Sequence, residues 1–393
     1  MQNKTTAWYL VPSSYGFLIW TVLIFLVSFT VVQVQAEAFA LFIYVIVCFA
    51  FSNFLNRRIF SKVDFQFLSL EIRIRKTDVN LFFFSAVIGF FGLFLYARDF
   101  GAELGGMAAF FYTFLDAPLQ IRGLAQEVTS SGFQISYFSW IFVFYGVYLI
   151  YSGFFKSRIS VFLISLLLFL AFLLNLLFID RTRPITIFVV SALIVFFVRL
   201  HKIKRPSKLI LYLLLSPFVI FVAQAIFTQK YDVEEGLFGN LVVYIFGGFG
   251  YLSALIYDVD PQYELTRTFL PISKILESFG VIQNVPSQVL GFKDVPFSTN
   301  VGTFLEPLLS DGGPVFVVLL TPFLVFWIDY FALRSLSSRT VFGVIFWANL
   351  IFVQMLSFFV PKYNSTYFYL FGIIFIYARF VRIGISFRKR QSI

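Results

Sequence analysis

Residues 159–179 read ISVFLISLLLFLAFLLNLLFI, 21 positions without a charge. As an α-helix rising 1.5 Å per residue, such a run covers about 30 Å, the thickness of a bilayer's hydrocarbon core. It is apolar on every face. A strand of a membrane β-barrel would instead alternate polar and apolar residues over about ten positions. The flanks are abruptly polar: Lys156 and Arg158 precede the run, and Asp180-Arg181-Thr182-Arg183-Pro184 follows it.

Similar runs recur in both directions. Towards the N-terminus they lie at 16–34, 38–55, 79–97 and in a stretch ending near Phe155. Towards the C-terminus they lie at 185–198, 209–227, 314–333, 341–360 and 363–378. Sixty per cent of the 393 residues are hydrophobic and only 13% are charged, so a soluble core does not account for them. The expected fold is all-α: a polytopic integral membrane protein of about ten transmembrane helices. No linker or repeat divides it, so residues 1–393 form one membrane domain. The first run is followed by a second after a short connector and reads as a retained helix rather than a cleaved leader. The single Cys48 allows no internal disulfide.

Charge orients the helices. Lys and Arg accumulate in cytoplasmic segments. With the N-terminus inside and ten alternating helices, 21 of the 30 Lys and Arg fall inside, among them Arg57–Lys76, Arg199–Lys208 and the tail Arg388-Lys389-Arg390. Both termini are then cytoplasmic, and residues 228–313 form a long outer loop. Within it, 236–257 carries no charge. As an ordinary span it would place the basic tail outside, so it reads as a re-entrant or interfacial helix. Gly247, Gly248 and Gly250 suit either a break there or close helix packing.

Several chemistries are excluded. There is no GxxxxGK[ST] loop and no strand–GxGxxG–helix unit, so neither nucleotide hydrolysis nor dinucleotide chemistry is expected. One His (His201, in a cytoplasmic loop) and one Cys do not make a transition-metal site or a Ser-His-Asp triad. No metal, cofactor or nucleic-acid partner is expected. Asp329 is the main acidic residue inside a helix, and it reads as an interfacial group near Arg334. Few buried charges argue against a coupled transporter.

The polar residues concentrate on the outer side. Arg181 and Arg183 precede Pro184, which suits a helix's first turn, so both guanidiniums would stand beside a helix N-terminus that favours anions. Arg122 and Arg267 are further outer arginines, counter to the topological bias, and Arg is the natural bidentate partner of phosphate. The stretch Asn300-Val-Gly-Thr-Phe-Leu-Glu-Pro-Leu-Leu-Ser-Asp-Gly-Gly-Pro314 leads into the run at 314–333. By turn chemistry alone, Asp311-Gly312-Gly313-Pro314 ends the outer loop.

At these residues the chain resembles the O-antigen polymerases, the Wzy-type oligosaccharide repeat-unit polymerases of bacterial envelopes. Asn300, Thr303, Asp311 and Gly312 match that family's Asn-x-x-Thr and acidic-Gly elements, with Gly313 departing from the family's Phe–Gly order. Arg181-Thr182-Arg183 sits where the family carries an Arg element opening a middle helix, without its Gly. The resemblance implies an inner-membrane enzyme facing the periplasm. It would transfer a glycan from undecaprenyl diphosphate to the end of the next lipid-linked repeat unit. Arg183 and Arg181 would stabilise the diphosphate leaving group, and Glu306 or Asp311 would take the acceptor proton. Arg122, Arg267, Asn300 and Thr303 would bind substrate. The implied partners are the undecaprenyl-diphosphate-linked oligosaccharide, membrane lipids and a chain-length regulator. An O-antigen ligase shares this architecture but tends to carry a His in the outer loop, which is lacking here. A flippase for lipid-linked oligosaccharides usually has shorter outer loops. A capsule or exopolysaccharide polymerase would look the same.

Overall fold

The computed structural model describes residues 7–30, 32–65, 72–128, 130–178, 180, 182–200, 208, 212, 215, 219, 222, 236–261, 263–287, 290–295, 298–374 and 376. The apolar run at 209–227 lies almost wholly outside the described residues. So do Arg181, His201 and the basic tail, and so does the side chain of Arg122.

The fold is all-helical apart from one two-stranded ladder. In chain order the helices are α1 (Pro12–Val27), α2 (Ala36–Ile59), α3 (Lys76–Leu104), α4 (Met107–Asp116), α5 (Pro118–Glu127), α6 (Ser131–Ile135), α7 (Tyr137–Tyr151), α8 (Arg158–Leu176), α9 (Thr182–Arg199), α10 (Gly236–Asp258) and α11 (Leu270–Ser278). The strands β1 (Lys293–Asp294) and β2 (Ser298–Thr299) pair antiparallel, Lys293 opposite Thr299. Then come α12 (Glu306–Leu336) and α13 (Val341–Met355), and residues 366–374 are helical again. Among the described residues six helical segments are long and apolar enough to cross a membrane: α2, α3, α6 with α7, α8, α9 and α12. By length and composition these helices are consistent with a multi-pass membrane protein.

Contacts group the chain into two compact units. One comprises Met1–Asp64, Glu234–Ser337 and Asn349–Ile393, the other Phe65–Val233 and Ser338–Ala348. The sequence reading treats the whole as one membrane domain.

In the first unit α12 packs on α2 and α1, and α10 packs on α2 and α12. Trp20 of α1 is the central side chain. Its ring meets Phe42, Phe49, Phe249 and Phe304 edge-on, and its indole N–H donates to Ser357 Oγ at 2.8 Å. Asp329 is fully buried, not interfacial as the sequence suggests. Its Oδ1 accepts the backbone N–H of Ser13 at 2.8 Å, in the first turn of α1, and its Oδ2 accepts the Ser52 hydroxyl. The carboxylate is held there because a helix N-terminus supplies unpaired N–H groups and positive potential.

In the second unit α3 packs tightly on α6 and α7. The contact is close because glycines line it. A Cβ on Gly89 would fall 2.3 Å from the Ser139 nitrogen, and one on Gly132 would fall 2.3 Å from the Tyr96 nitrogen. Small residues let backbones approach this way inside membranes. Asn175 of α8 stitches the bundle: its Oδ1 accepts the Trp140 indole N–H, and its Nδ2 donates to Ser139 Oγ and the Ala171 carbonyl.

Two expectations are corrected. The stretch beyond the apolar run at 79–97, which that run leaves outside any helix, is largely helical. α3 runs to Leu104 and stops at Gly105, whose φ of 89° gives the left-handed turn that ends a helix. α4 and α5 follow directly. Asp311-Gly312-Gly313-Pro314 is likewise no turn ahead of a helix. α12 has already begun at Glu306, and the glycines make a kink within it.

Candidate functional site

Of the predicted site residues, Arg267, Thr303, Glu306 and Asp311 gather in one unit and Arg183 lies in the other.

The first cluster is built on the start of α12. Thr303 is buried and shapes the entry. Its hydroxyl accepts the Leu305 N–H at 3.3 Å, and its carbonyl accepts the Glu306 N–H at 3.1 Å. It packs against Gly248 of α10, where any Cβ would lie 2.7 Å from the Phe358 carbonyl. α10 therefore uses its glycines for close approach, not for a break: it continues as one helix through Gly247, Gly248 and Gly250. Pro307 suits the first turn of α12, where no N–H is required.

Six residues after Glu306 the helix path breaks. Gly312 takes φ −143°, ψ 17° and Gly313 takes φ 65°, ψ −164°. Gly313 occupies a region that side-chain-bearing residues avoid. A Cβ on Gly312 would lie 2.0 Å from the Phe316 ring. Pro314 restarts the helix. The short piece Glu306–Asp311 is thus offset from the long apolar remainder.

Both carboxylates meet Arg267. The guanidinium Nε donates to Glu306 Oε1 at 2.5 Å, and Nη1 donates to the Ser287 carbonyl at 3.2 Å. Asp311 binds the backbone instead. Its Oδ1 accepts the Arg267 N–H at 3.0 Å and its Oδ2 the Thr268 N–H at 2.7 Å. Ser310 Oγ donates to Glu306 Oε1, and Asn364 Nδ2 donates to the Arg267 carbonyl. The Glu306 side chain is 3% exposed and that of Arg267 14%. Buried charge of this kind persists only when paired and hydrogen-bonded. Here one cation faces two anions, and bonds to both its side chain and its backbone fix its position. The Arg267 Nη2 and the Glu306 Oε2 take no hydrogen bond among the described residues. Tyr363 lies close enough to both acids to feel their charge, and its buried hydroxyl has no partner among the described residues. Tyr251 stands in the same relation to Glu306 and Arg267. Asn300 is partly buried and takes no hydrogen bond from this cluster.

The second cluster surrounds Arg183, in the first turn of α9. Its side chain is wholly buried. Its guanidinium carbon lies 3.7 Å from the ring centre of Phe178, 4.3 Å from Phe133, 4.8 Å from Tyr137 and 5.6 Å from Trp140. Nη1 donates to Ser136 Oγ at 2.8 Å and Nη2 to the Phe133 carbonyl at 3.3 Å. Asp180 is 3.8 Å from Nε. The anion at the N-terminus of α9 is the chain's own: Asp180 Oδ1 accepts the Thr182 N–H at 2.8 Å. Four aromatic faces and two oxygen acceptors replace water around the cation. In this arrangement Arg183 is enclosed by the protein's own side chains. Arg181 and the side chain of Arg122 lie outside the described residues.

Sequence reasoning missed Ser287, Tyr251, Tyr363 and Asn364. The signal for the last two was the polar break Lys362-Tyr363-Asn364, which folds as a 3-10 turn and not as the start of a helix. Among the described residues no group of three or more His, Cys, Asp or Glu is placed to hold a metal.

Comparison with family models, with curated proteins and with solved structures finds no match. The fold and the cluster define the class: an all-helical protein with six helices long and apolar enough to span a membrane, and an arginine ion-paired to the first residue of a kinked helix.

Proposed function

We propose that this protein is a polysaccharide polymerase of the inner membrane. It would join undecaprenyl-diphosphate-linked oligosaccharide repeat units on the periplasmic side, with ten spanning helices, residues 228–313 on that side and both termini in the cytoplasm. The observation that supports the reading best is the Arg267–Glu306–Asp311 cluster. Its two acids lie in the stretch whose residues resemble the O-antigen polymerases, and among the described residues it leaves one face of a fixed guanidinium uncommitted.

The reaction needs no outside energy source, because the diphosphate is already a leaving group. The acceptor hydroxyl oxygen forms a bond to the anomeric carbon of the donor glycan. The bond from that carbon to the diphosphate oxygen breaks, and undecaprenyl diphosphate leaves with the electron pair. The hydroxyl proton goes to a base. Arg267 takes the role of stabilising the leaving diphosphate, through its Nη2 edge. Glu306, with Oε2 unengaged, takes the role of base. Asp311, with both oxygens bound to backbone N–H groups, holds Arg267 in place. Arg183 drops out of the chemistry because its environment closes it to substrate.

The test is the lipopolysaccharide profile of a strain lacking the gene. The expected result is a ladder collapsed to core plus a single repeat unit. Complete polymer stranded on undecaprenyl diphosphate would replace the reading with a ligase. Loss of all outer-face glycan would indicate a flippase. An unchanged ladder, together with loss of capsule or exopolysaccharide, would move the same chemistry to another polymer.

A further inference from the structure

Immediately after Arg267 and Thr268 the chain forms α11, and this helix touches its own unit only at its beginning. Leu270 and Ser273 are buried, whereas residues 274–280 are all exposed. The exposed surface has two sides. Ile272, Ile275, Leu276 and Phe279 recur at spacings of three and four, which places them on one stripe. They are exposed by 43, 57, 36 and 76%. Lys274 and Glu277 stand on the opposite side. In water such a stripe would be a standing liability.

The depth of α11 follows from its neighbours. The N–H groups of Arg267 and Thr268 are bonded to Asp311, the ring of Tyr263 meets Phe316 at 6.0 Å, and Pro261 lies beside Gly313. The segment entering α11 is therefore level with residues 311–316 of α12. At that level the outward apolar surface of α12 begins, with Val315, Val318, Leu319 and Phe323 exposed. A nine-residue helix is about 14 Å long and cannot cross a bilayer.

We propose that α11 lies flat in the membrane surface, its apolar stripe seated at the boundary between phospholipid headgroups and acyl chains and Lys274 turned to the water and the lipid phosphates. This is the behaviour of a monotopic amphipathic helix. The occupant is the bilayer itself, because the stripe starts where the lipid-type surface of α12 starts. α11 thereby holds Arg267 at headgroup depth, where the diphosphate of a lipid-linked glycan resides; that last clause rests on the polymerase reading.

The test is spin-label accessibility in proteoliposomes of phosphatidylethanolamine and phosphatidylglycerol. The full chain carries Cys48→Ala plus one of Ile275→Cys, Phe279→Cys, Lys274→Cys or Ser278→Cys. Oxygen concentrates in lipid and a nickel chelate in water. The expected result is a severalfold higher oxygen-to-nickel ratio at 275 and 279 than at 274 and 278. Equal nickel access at all four positions overturns the proposal, since the helix would then stand in water. Closure of 275 and 279 to both reagents also overturns it, because protein, either a second copy or another chain, would be the occupant. These readings do not depend on catalysis. A second variant, Ile275→Asp with Phe279→Asp, is expected to shorten the polymer ladder while the protein still inserts. A gene deletion with no ladder phenotype would remove the polymerase reading and leave the accessibility result standing.

Discussion

Arg183 and Arg267 bring the same side chain into opposite surroundings. Arg183 is boxed by four aromatic rings, and its removal would leave a cavity among Phe133, Tyr137, Trp140 and Phe178. Arg183→Ala is expected to cost roughly 3 kcal/mol or more, from lost cation–π contact and lost packing together. The check is the melting temperature of detergent-purified protein by size-exclusion retention, with Arg183→Met losing less because it refills the volume. Arg267 answers to two acids. Arg267→Ala strands a buried Glu306, a loss of about 3–5 kcal/mol for a broken buried pair. The double variant Arg267→Ala with Glu306→Gln is expected to recover part of that stability and none of the polymerisation. Arg267→Lys keeps the charge and loses the planar fork. Its expected effect is a fall in polymerisation on the order of 10²-fold, the scale for one misplaced oxyanion donor, read as ladder length and as turnover of purified lipid-linked repeat units. Full activity of Arg267→Lys would reduce Arg267 to simple charge.

At the scale of the element, α12 and its kink decide the site. Gly313 at φ 65°, ψ −164° lies in a region open almost only to glycine, and Gly313→Ala is expected to cost about 1–3 kcal/mol from backbone strain alone. Gly312→Ala is a different case. Its Cβ would overlap the Phe316 ring, so Phe316→Ala is expected to rescue it, whereas Gly313→Ala has no such rescue. Parallel melting curves of the two singles and the Gly312→Ala with Phe316→Ala double distinguish the mechanisms. Both changes move Glu306 and Asp311 relative to the rest of α12, so polymer length should fall with stability. The sequence made part of this element readable: an Asp-Gly-Gly-Pro run signals a departure from helix. It could not show that helix lies on both sides of the departure, because Gly-Gly-Pro reads alike as a turn and as a kink. The residues before it, Glu306–Asp311, are also too few for periodicity to register.

For the whole molecule, hydropathy and charge yield a testable orientation. In a Cys48→Ala background, Gln283→Cys is expected to react with a membrane-impermeant maleimide from the periplasmic side, and Ser338→Cys only after the inner membrane is opened. The reverse pattern would invert the proposed topology.

The sequence by itself determined the class, an all-helical chain with helices long and apolar enough to span a membrane. A charge-free run of about twenty residues must satisfy its backbone internally, and in lipid only a helix does so within one segment. It also singled out Glu306, Asp311 and Arg267 as separate residues of interest. Only the tertiary structure decided what each arginine faces. Asp311 reaches back 44 residues to the N–H of Arg267, and Arg183 meets Phe133 from 50 residues away. Such pairings depend on helix crossings set by side-chain packing and glycine contacts, and one-dimensional spacing carries no trace of them.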